Sequence, residues 1–222
     1  MPQKKIRFKF TKTGVLQYLS HLDIARMMLR ALARADIRAA YSQGFNPKPK
    51  VNFSNPTPLG VESFAEYADI LLAEHLGAQD FQYKLNRQLQ KAMQVAEAKT
   101  VPGKCKSLMA DIALVAYRFK LSNLKNMDRK ADMQNWLEDK KELQNTIYRM
   151  AFYPLDQNLC LLKLYGYAKI LKNQNNGIFK YNVFYDYMKD MAQEYSIKIE
   201  SRAKEEMFVL RENKPKTPLE VI

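Results

Sequence analysis

Cysteine and glycine are scarce in this chain of 222 residues. Its two cysteines, Cys105 and Cys160, are too few for a disulfide framework, and neither belongs to a CxxC pair of the kind that holds zinc or an iron–sulfur cluster. The seven glycines exclude a collagen-like or glycine-rich repetitive chain. A folded protein of the reducing cytoplasm fits these absences best.

Long apolar runs are missing as well. Charged residues interrupt every hydrophobic stretch well before the roughly 18 residues that a membrane-spanning helix requires. The first ten residues alternate basic and apolar side chains, and they do not form the apolar core of a signal peptide. We therefore expect a protein that is not exported and has no membrane partner.

Several sequence motifs that are typical of enzymes are absent. The sequence has no P-loop, no GxGxxG, no GxSxG and no HExxH, and it has no CxxxCxxC arrangement for a cluster. We therefore expect no cofactor and no metal site. Whether the protein is an enzyme stays open, with a role other than catalysis favoured.

Positive charge is abundant, and it is concentrated at one end of the chain. The formal net charge is +13, and residues 1–50 hold eleven Lys or Arg against only two acidic residues, Asp23 and Asp36. A basic segment inside a foldable region indicates a surface for a polyanion.

The first hundred residues alternate between strand and helix patterns. Residues 5–10 alternate apolar and basic side chains, as a half-buried strand does, which would place Lys5, Arg7 and Lys9 on one face. Ser20 is a good N-cap, with Asp23 three residues later, for an amphipathic helix that runs to about Ala35. Further patterns predict strands over 51–54, 67–73 and 94–101, and a helix over 80–91.

This order, βαββαβ, is that of the ferredoxin-like unit. The second half predicts strands over 112–121, 146–153, 159–165, 197–199 and 207–210, with helices over 128–145 and 181–195. We therefore predict an α+β protein of two tandem ferredoxin-like units with antiparallel sheets. Pro102 and Gly103 would separate a first domain, residues 1–101, from a second, residues 104–222.

Three arginines recur at helical spacing. Arg26, Arg30 and Arg34 are four residues apart, so they form a row along one helix face. Guanidinium groups bind phosphates through paired hydrogen bonds, and the row therefore predicts a nucleic-acid surface. The alternative is a solvated polar face on which Asp23 pairs with Arg26.

His21 and Asp23 are the candidate catalytic residues. A histidine beside a carboxylate could remove the proton of a 2′-hydroxyl in metal-independent RNA cleavage. The alternative, which we favour, is that His21 caps or packs the start of the helix, because the sequence shows no second catalytic group beyond this local pair.

The segment after the helix is stiffened by proline. Four of the nine prolines lie within residues 47–58. This segment contains aromatic rings, which can stack on bases, together with amides and ammonium groups. The same combination occurs in proteins that recognise unpaired RNA. We predict that Lys48 and Lys50 bind phosphate, and we favour binding for Asn46 as well. The motif loop before them consists of Tyr41, Ser42, Gln43, Gly44, Phe45, Asn46 and Pro47.

These motifs together resemble the radical-SAM-linked protein family, whose domains of unknown function occur beside, or fused to, B12-binding-type radical SAM proteins. The resemblance covers residues 4 to about 100. It rests on FTKTG at 10–14, LSHLD at 19–23, YSQGFNP at 41–47 and PLGVES at 58–63. It implies a bacterial, cytoplasmic accessory protein with a radical SAM partner, and it supplies no catalytic residue.

We therefore expect an RNA-binding accessory protein of a radical SAM enzyme, with tRNA or rRNA as the RNA. Two alternatives stay open. One is a metal-independent ribonuclease that uses His21, and the other is a protein–protein adaptor that binds no nucleic acid.

Overall fold

The computed structural model describes residues 4–102, 105–124, 135–136, 140–172 and 174–222. Within it the chain forms two units. The first contains the residues up to Asp111 together with Lys216–Ile222, and the second is Ile112–Pro215. The division therefore lies after Asp111, where the sequence places it at Pro102 and Gly103, and the last seven residues belong to the first unit.

The described residues of the first unit form four strands, three α-helices and one 3₁₀ helix. Its strands have the order β4-β1-β3-β2, and each neighbouring pair is antiparallel. A 3₁₀ helix, Gly14–Tyr18, precedes α1. The elements are β1 (Lys5–Lys12), α1 (His21–Arg34), β2 (Val51–Phe53), β3 (Glu62–Leu71), α2 (Ala78–Asn86), β4 (Val95–Val101) and α3 (Leu108–Asp111).

Local sequence signals explain how the two main helices begin and end. The Ser20 hydroxyl accepts a hydrogen bond from the Asp23 amide at 3.2 Å, which confirms the predicted N-cap of α1. Helix α2 ends at Asn86, before the predicted end at Lys91. The Asn86 side chain accepts from the Val95 amide at 2.7 Å, and this bond ties the end of the helix to the start of β4.

One face of β1 lies in the core of this unit. Its Phe8 ring packs against Phe81 of α2, with 5.1 Å between the ring centroids. The apolar stripe of α1 meets the same core. The fully or almost fully buried members of this cluster include Ile6, Phe8, Phe10, Ile24, Met28, Leu32, Phe81 and Leu85.

The opposite face of β1 is covered as well, and here the sequence-based prediction is wrong for Arg7. This arginine is buried and lies directly across from Asp69 of β3. Its Nε and Nη2 donate to the two carboxylate oxygens of Asp69 at 2.7 and 3.0 Å. The remaining donors reach the carbonyls of Lys106 and Pro218 at 3.2 and 3.3 Å. Arg7 is therefore part of the interior and is not presented to a phosphate.

The second unit also has four main strands in antiparallel order, β8-β5-β7-β6. When the four strands of each unit are numbered along the chain, both units have the same order across the sheet: fourth, first, third, second. The helix predicted over 128–145 lies mostly outside the described residues. The elements are β5 (Ile112–Ser122), a 3₁₀ helix (Lys141–Leu143), β6 (Ile147–Pro154), β7 (Leu159–Tyr167), α4 (Tyr181–Glu194), β8 (Lys198–Arg211) and the short β9 (Lys214–Lys216), which pairs with β8.

Strand β8 joins two strands that the sequence predicts separately. Its register against β5 shifts at three places, so the residues of β8 do not keep a simple alternation of buried and exposed side chains. Glu205 in its middle accepts ion pairs from Arg118 at 3.3 Å and from Lys163 at 3.0 Å. Because charged residues lie inside this strand, its hydrophobic pattern does not predict one continuous strand.

The buried pair Arg7–Asp69 predicts a specific stability effect. Asp69→Ala leaves a guanidinium buried without its carboxylate, and we expect the free energy of unfolding to fall by about 3–5 kcal/mol. The double variant Arg7→Met/Asp69→Leu should recover much of this loss, because neither charge stays buried alone. Urea unfolding followed by circular dichroism measures both changes.

The exposed pair Asp23–Arg26, at 3.4 Å, supplies the control. Arg26→Ala should change stability by no more than about 1 kcal/mol. Equal losses for Asp69→Ala and Arg26→Ala would contradict the structural role assigned to the buried pair.

Candidate nucleic-acid interface

The three arginines of α1 are all exposed, but they differ in their partners. Arg26 pairs with Asp23 at 3.4 Å, and Arg34 donates to the Gln88 carbonyl at 2.9 Å. Arg30 makes no hydrogen bond or ion pair with any residue that the structure describes. Among the three, the guanidinium of Arg30 is therefore the one with all its donors available to a ligand.

The loop 41–49 is closed at its base by backbone pairing. Tyr41 and Pro49 form a β-bridge, and the amide of Ser42 donates to the Lys48 carbonyl at 2.9 Å. The Lys48 amide returns a bond of 2.9 Å to the Ser42 hydroxyl. Gly44 has φ +116°, a conformation that residues with a side chain rarely adopt. The base of the loop is thus well defined by hydrogen bonds.

The tip and the base of this loop carry exposed aromatic and basic side chains. The Phe45 side chain is fully exposed, and about half of the Tyr41 side chain is exposed. Lys48 and Lys50 are exposed, and neither ammonium group has a partner in the part of the chain that the structure describes. These are the types of group that bind unpaired nucleotides by stacking and by charge.

A groove of 540 Å³ lies between the second half of α1 and this loop. Leu29 and Leu32 of α1 and Ile37 form one apolar side, and Tyr41 and Pro49 belong to the loop side. The chain turns beside it at Asp36, whose φ is +51°. Helical spacing alone indicates the apolar stripe of α1, but the position of the loop next to that stripe follows only from the fold.

Charged groups surround this groove. Arg30 lines it and has no partner within the described ranges, whereas Arg38 pairs with Glu74 at 2.9 Å and with Asp36 at 3.7 Å. A second depression, of 280 Å³, lies on the other side of Arg30 and includes Arg34. Arg30 therefore stands between two hollows of the surface.

The basic residues of β1 contribute much less to this surface. Lys5 pairs with Asp69 at 3.3 Å, Arg7 is buried, and Lys9 is half-buried. The exposed residues from the predicted phosphate-binding set are therefore Arg26, Arg30, Arg34, Lys48 and Lys50. We call these five residues, with loop 41–49, the helix–loop surface.

The candidate catalytic pair is not assembled. His21 is exposed and rests edge-on against Phe53, with 5.6 Å between the ring centroids. The Asp23 carboxylate accepts from the Ser20 hydroxyl at 2.5 Å, and this bond, with help from Arg26, lowers the pKa of Asp23. No hydrogen bond joins Asp23 to His21 within the described residues. This geometry suits capping and packing at the start of α1.

The described ranges contain no group of three or more His, Cys, Asp and Glu side chains that could hold a metal ion. No helix within these ranges is long and apolar enough to cross a membrane.

Two buried charged residues, Lys12 and Glu66, escaped the sequence-based prediction. Lys12 ends β1 and is buried, and removal from water lowers the pKa of its amine while the charge of Glu66 opposes that change. Glu66 is buried too, and its carboxylate accepts a hydrogen bond from the Thr57 hydroxyl. Lys12 lies within FTKTG, and in the sequence nothing distinguishes it from the other lysines of this basic segment.

The family of the chain is established by sequence. The model of a family described as uncharacterised proteins conserved in bacteria, DUF2344, matches residues 5–149, and the chain belongs to this family. This description mentions neither radical SAM enzymes nor RNA, so both partners stay predictions. Among curated proteins no sequence match is found.

Solved structures give weaker likenesses. One is an unknown protein from Galdieria sulphuraria, at 9% identity and a TM-score of 0.28, with 91% of this chain and 99% of that chain covered. Another is a candidate glycine cleavage system transcriptional repressor, at 9% identity and a TM-score of 0.29, with 92% and 99% covered. Likenesses of this strength support no inference about fold or function.

The buried amine of Lys12 predicts a pH dependence of stability. In the unfolded chain a lysine titrates near ~10.4, whereas the folded pKa of Lys12 is lower. As the pH falls below ~10.4, the unfolded chain binds a proton that the folded chain does not yet bind, so Lys12 makes the protein less stable. Relative to the unaltered protein, Lys12→Met should therefore gain stability as the pH falls from about 10.4 towards the lowered pKa of Lys12.

Urea unfolding at a series of pH values measures this difference. Lys91→Met, at an exposed lysine that follows α2, is the matched control, and its difference from the unaltered protein should stay flat over the same range. Parallel curves for Lys12→Met and the unaltered protein would disprove the assignment.

Proposed function

We propose that this protein is a bacterial, cytoplasmic accessory protein that binds RNA through the helix–loop surface. The observation that carries the proposal is the guanidinium of Arg30, which lies beside a loop with an exposed phenylalanine and two lysines. None of these three cations has a side-chain partner in the part of the chain that the structure describes. Cations that lack protein partners can release counterions from a phosphate backbone, and exposed rings can stack on unpaired bases.

The proposed partner is a radical SAM enzyme, to which the protein would present a structured RNA such as tRNA or rRNA. Support for this partner comes from the sequence resemblance at 10–14, 19–23, 41–47 and 58–63. The chain has no cluster-binding cysteine motif of its own, so the chemistry would belong to the partner.

We also propose that the two units are tandem ferredoxin-like units. Both use the strand order fourth, first, third, second, and the first has the element order βαββαβ. In such a unit the helices cover one face of an antiparallel sheet, which would leave the exposed side of α1 at the surface with its arginines.

A protein adaptor is the second candidate function. Four large apolar side chains are exposed in the 3₁₀ helix, at the start of α1 and in the segment before β3, and exposed apolar side chains that form a patch mark protein interfaces. They are Val15, Tyr18, Leu22 and Leu59. Copurification of a bacterial partner protein would favour this function if the complex persists after nuclease treatment and in high salt and the protein binds no RNA.

RNA binding predicts a salt dependence. Filter binding of the full chain to total tRNA should give an affinity that falls steeply with salt, with a slope of log K against log salt of roughly 0.7–0.9 per phosphate contact. Arg30→Ala and Lys48→Ala/Lys50→Ala should each weaken binding and reduce the slope by about one contact per residue removed.

Arg149→Ala is the matched control, because it removes an exposed arginine on β6 of the second unit. Its affinity and slope should differ little from those of the unaltered protein. An affinity that does not depend on salt, or an equal loss for Arg149→Ala and Arg30→Ala, would refute binding through the helix–loop surface.

A further inference from the structure

We infer that the groove between α1 and loop 41–49 is a pocket for one unpaired nucleobase of the bound RNA, with Arg30 on the neighbouring phosphate. This inference rests on the proposed RNA binding and adds to it a location and a substrate form: the bound nucleotide is single-stranded and its base leaves the stack.

The size and the walls of the groove suit a base. Its volume of 540 Å³ lies within the range of about 300–1,000 Å³ that is usual for small-molecule sites. Leu29, Leu32 and Ile37 give an apolar side, and the half-exposed Tyr41 gives an aromatic group on the loop side. Apolar and aromatic walls of this kind hold a base by its faces and tolerate any base.

The distribution of charge sets the direction in which a nucleotide would enter. Arg30 lines the groove, and its donors have no partner among the described residues, whereas Arg38 already pairs with Glu74 and Asp36. The exposed carboxylate of Asp36 would repel a phosphate. The phosphate therefore belongs at Arg30, and the base extends from there towards the apolar interior of the groove.

The hollow on the far side of Arg30 extends this arrangement. It contains Arg34, whose guanidinium is oriented by the Gln88 carbonyl at 2.9 Å. A strand that passes over Arg30 would thus meet a second cation one helical turn away. An RNA duplex cannot use the pocket in this way, because its bases stay stacked and paired inside the helix.

A peptide is the other occupant that an apolar groove admits. The unpaired Arg30 and the nearby Lys48 and Lys50 favour a polyanion, because a neutral apolar peptide leaves these charges unused. We therefore assign the groove to RNA, and the experiment below includes the peptide as a result that would overturn the assignment.

The test fills the groove without removing charge. Ala33 is an exposed lining residue, so Ala33→Phe should fold normally and occupy the space of the base. The probe is a mixed-sequence single-stranded RNA of about twelve nucleotides, a length within the range of single-strand binding sites, with 2-aminopurine at one position in turn. We expect the unaltered chain to change the fluorescence at several positions, because a pocket that tolerates any base allows several registers, and Ala33→Phe to abolish this change and weaken binding about tenfold.

Two further variants test whether the effect comes from filling the groove. Ala73→Phe fills the groove from another lining residue and should act in the same way. Ala96→Phe adds the same ring to an exposed position on β4, away from the groove, and should leave affinity and fluorescence unchanged. Circular dichroism confirms that each variant is folded, and the duplex form of the probe should bind equally to all of them.

The outcomes separate this inference from the proposed function. Binding that depends on salt and on Arg30, but that both groove-filling variants leave intact with the fluorescence change retained, refutes the pocket and leaves RNA binding standing. Variants that keep RNA binding but lose a copurifying protein identify a peptide site and also refute the pocket. If the unaltered chain binds neither tRNA nor the single strand, the proposed function and the inference both fail.

Discussion

The buried ion pair between Arg7 and Asp69 is the constraint on which the first unit depends. It joins the two neighbouring strands β1 and β3 by two hydrogen bonds, at 2.7 and 3.0 Å. The remaining donors of Arg7 bind the carbonyls of Lys106 and Pro218, which lie far along the chain. Because a guanidinium carries five donors in a fixed plane, one side chain can attach three separate segments. A lysine, with a single charged nitrogen, could not reproduce this fork.

This pair also determines where the positive charge of the protein can act. Asp69 neutralises Arg7 and pairs with Lys5, so much of the charge on β1 is compensated inside the first unit. The free cations lie instead on α1, within loop 41–49 and just after it, where the side chains of Arg30, Lys48 and Lys50 have no partner among the described residues. The surplus of basic residues in the first fifty positions is therefore divided between a structural role and an exposed surface.

Local features of the sequence predict most of the elements, and distant contacts account for what it misses. The cap at Ser20 and the alternation in β1 are visible because each depends on residues within a few positions. The burial of Arg7 depends on a carbonyl 211 residues away, and no local pattern contains that information. The groove also depends on distant contacts. The sequence predicts the apolar stripe of α1, but only strand pairing with the rest of the unit brings Tyr41 and Pro49 to its side.

The arginine row shows why regular spacing alone does not determine function. Arg26, Arg30 and Arg34 occupy equivalent positions on successive turns of one helix, yet their surroundings assign them different roles. Asp23 compensates the first, and the Gln88 carbonyl holds the third in place. Among the residues that the structure describes, only the middle one combines donors without a partner and an adjacent apolar groove. Phosphate binding by an exposed arginine is weakened by a nearby carboxylate and sharpened by a fixed orientation, so the capacity of this face follows from its neighbours and not from its periodicity.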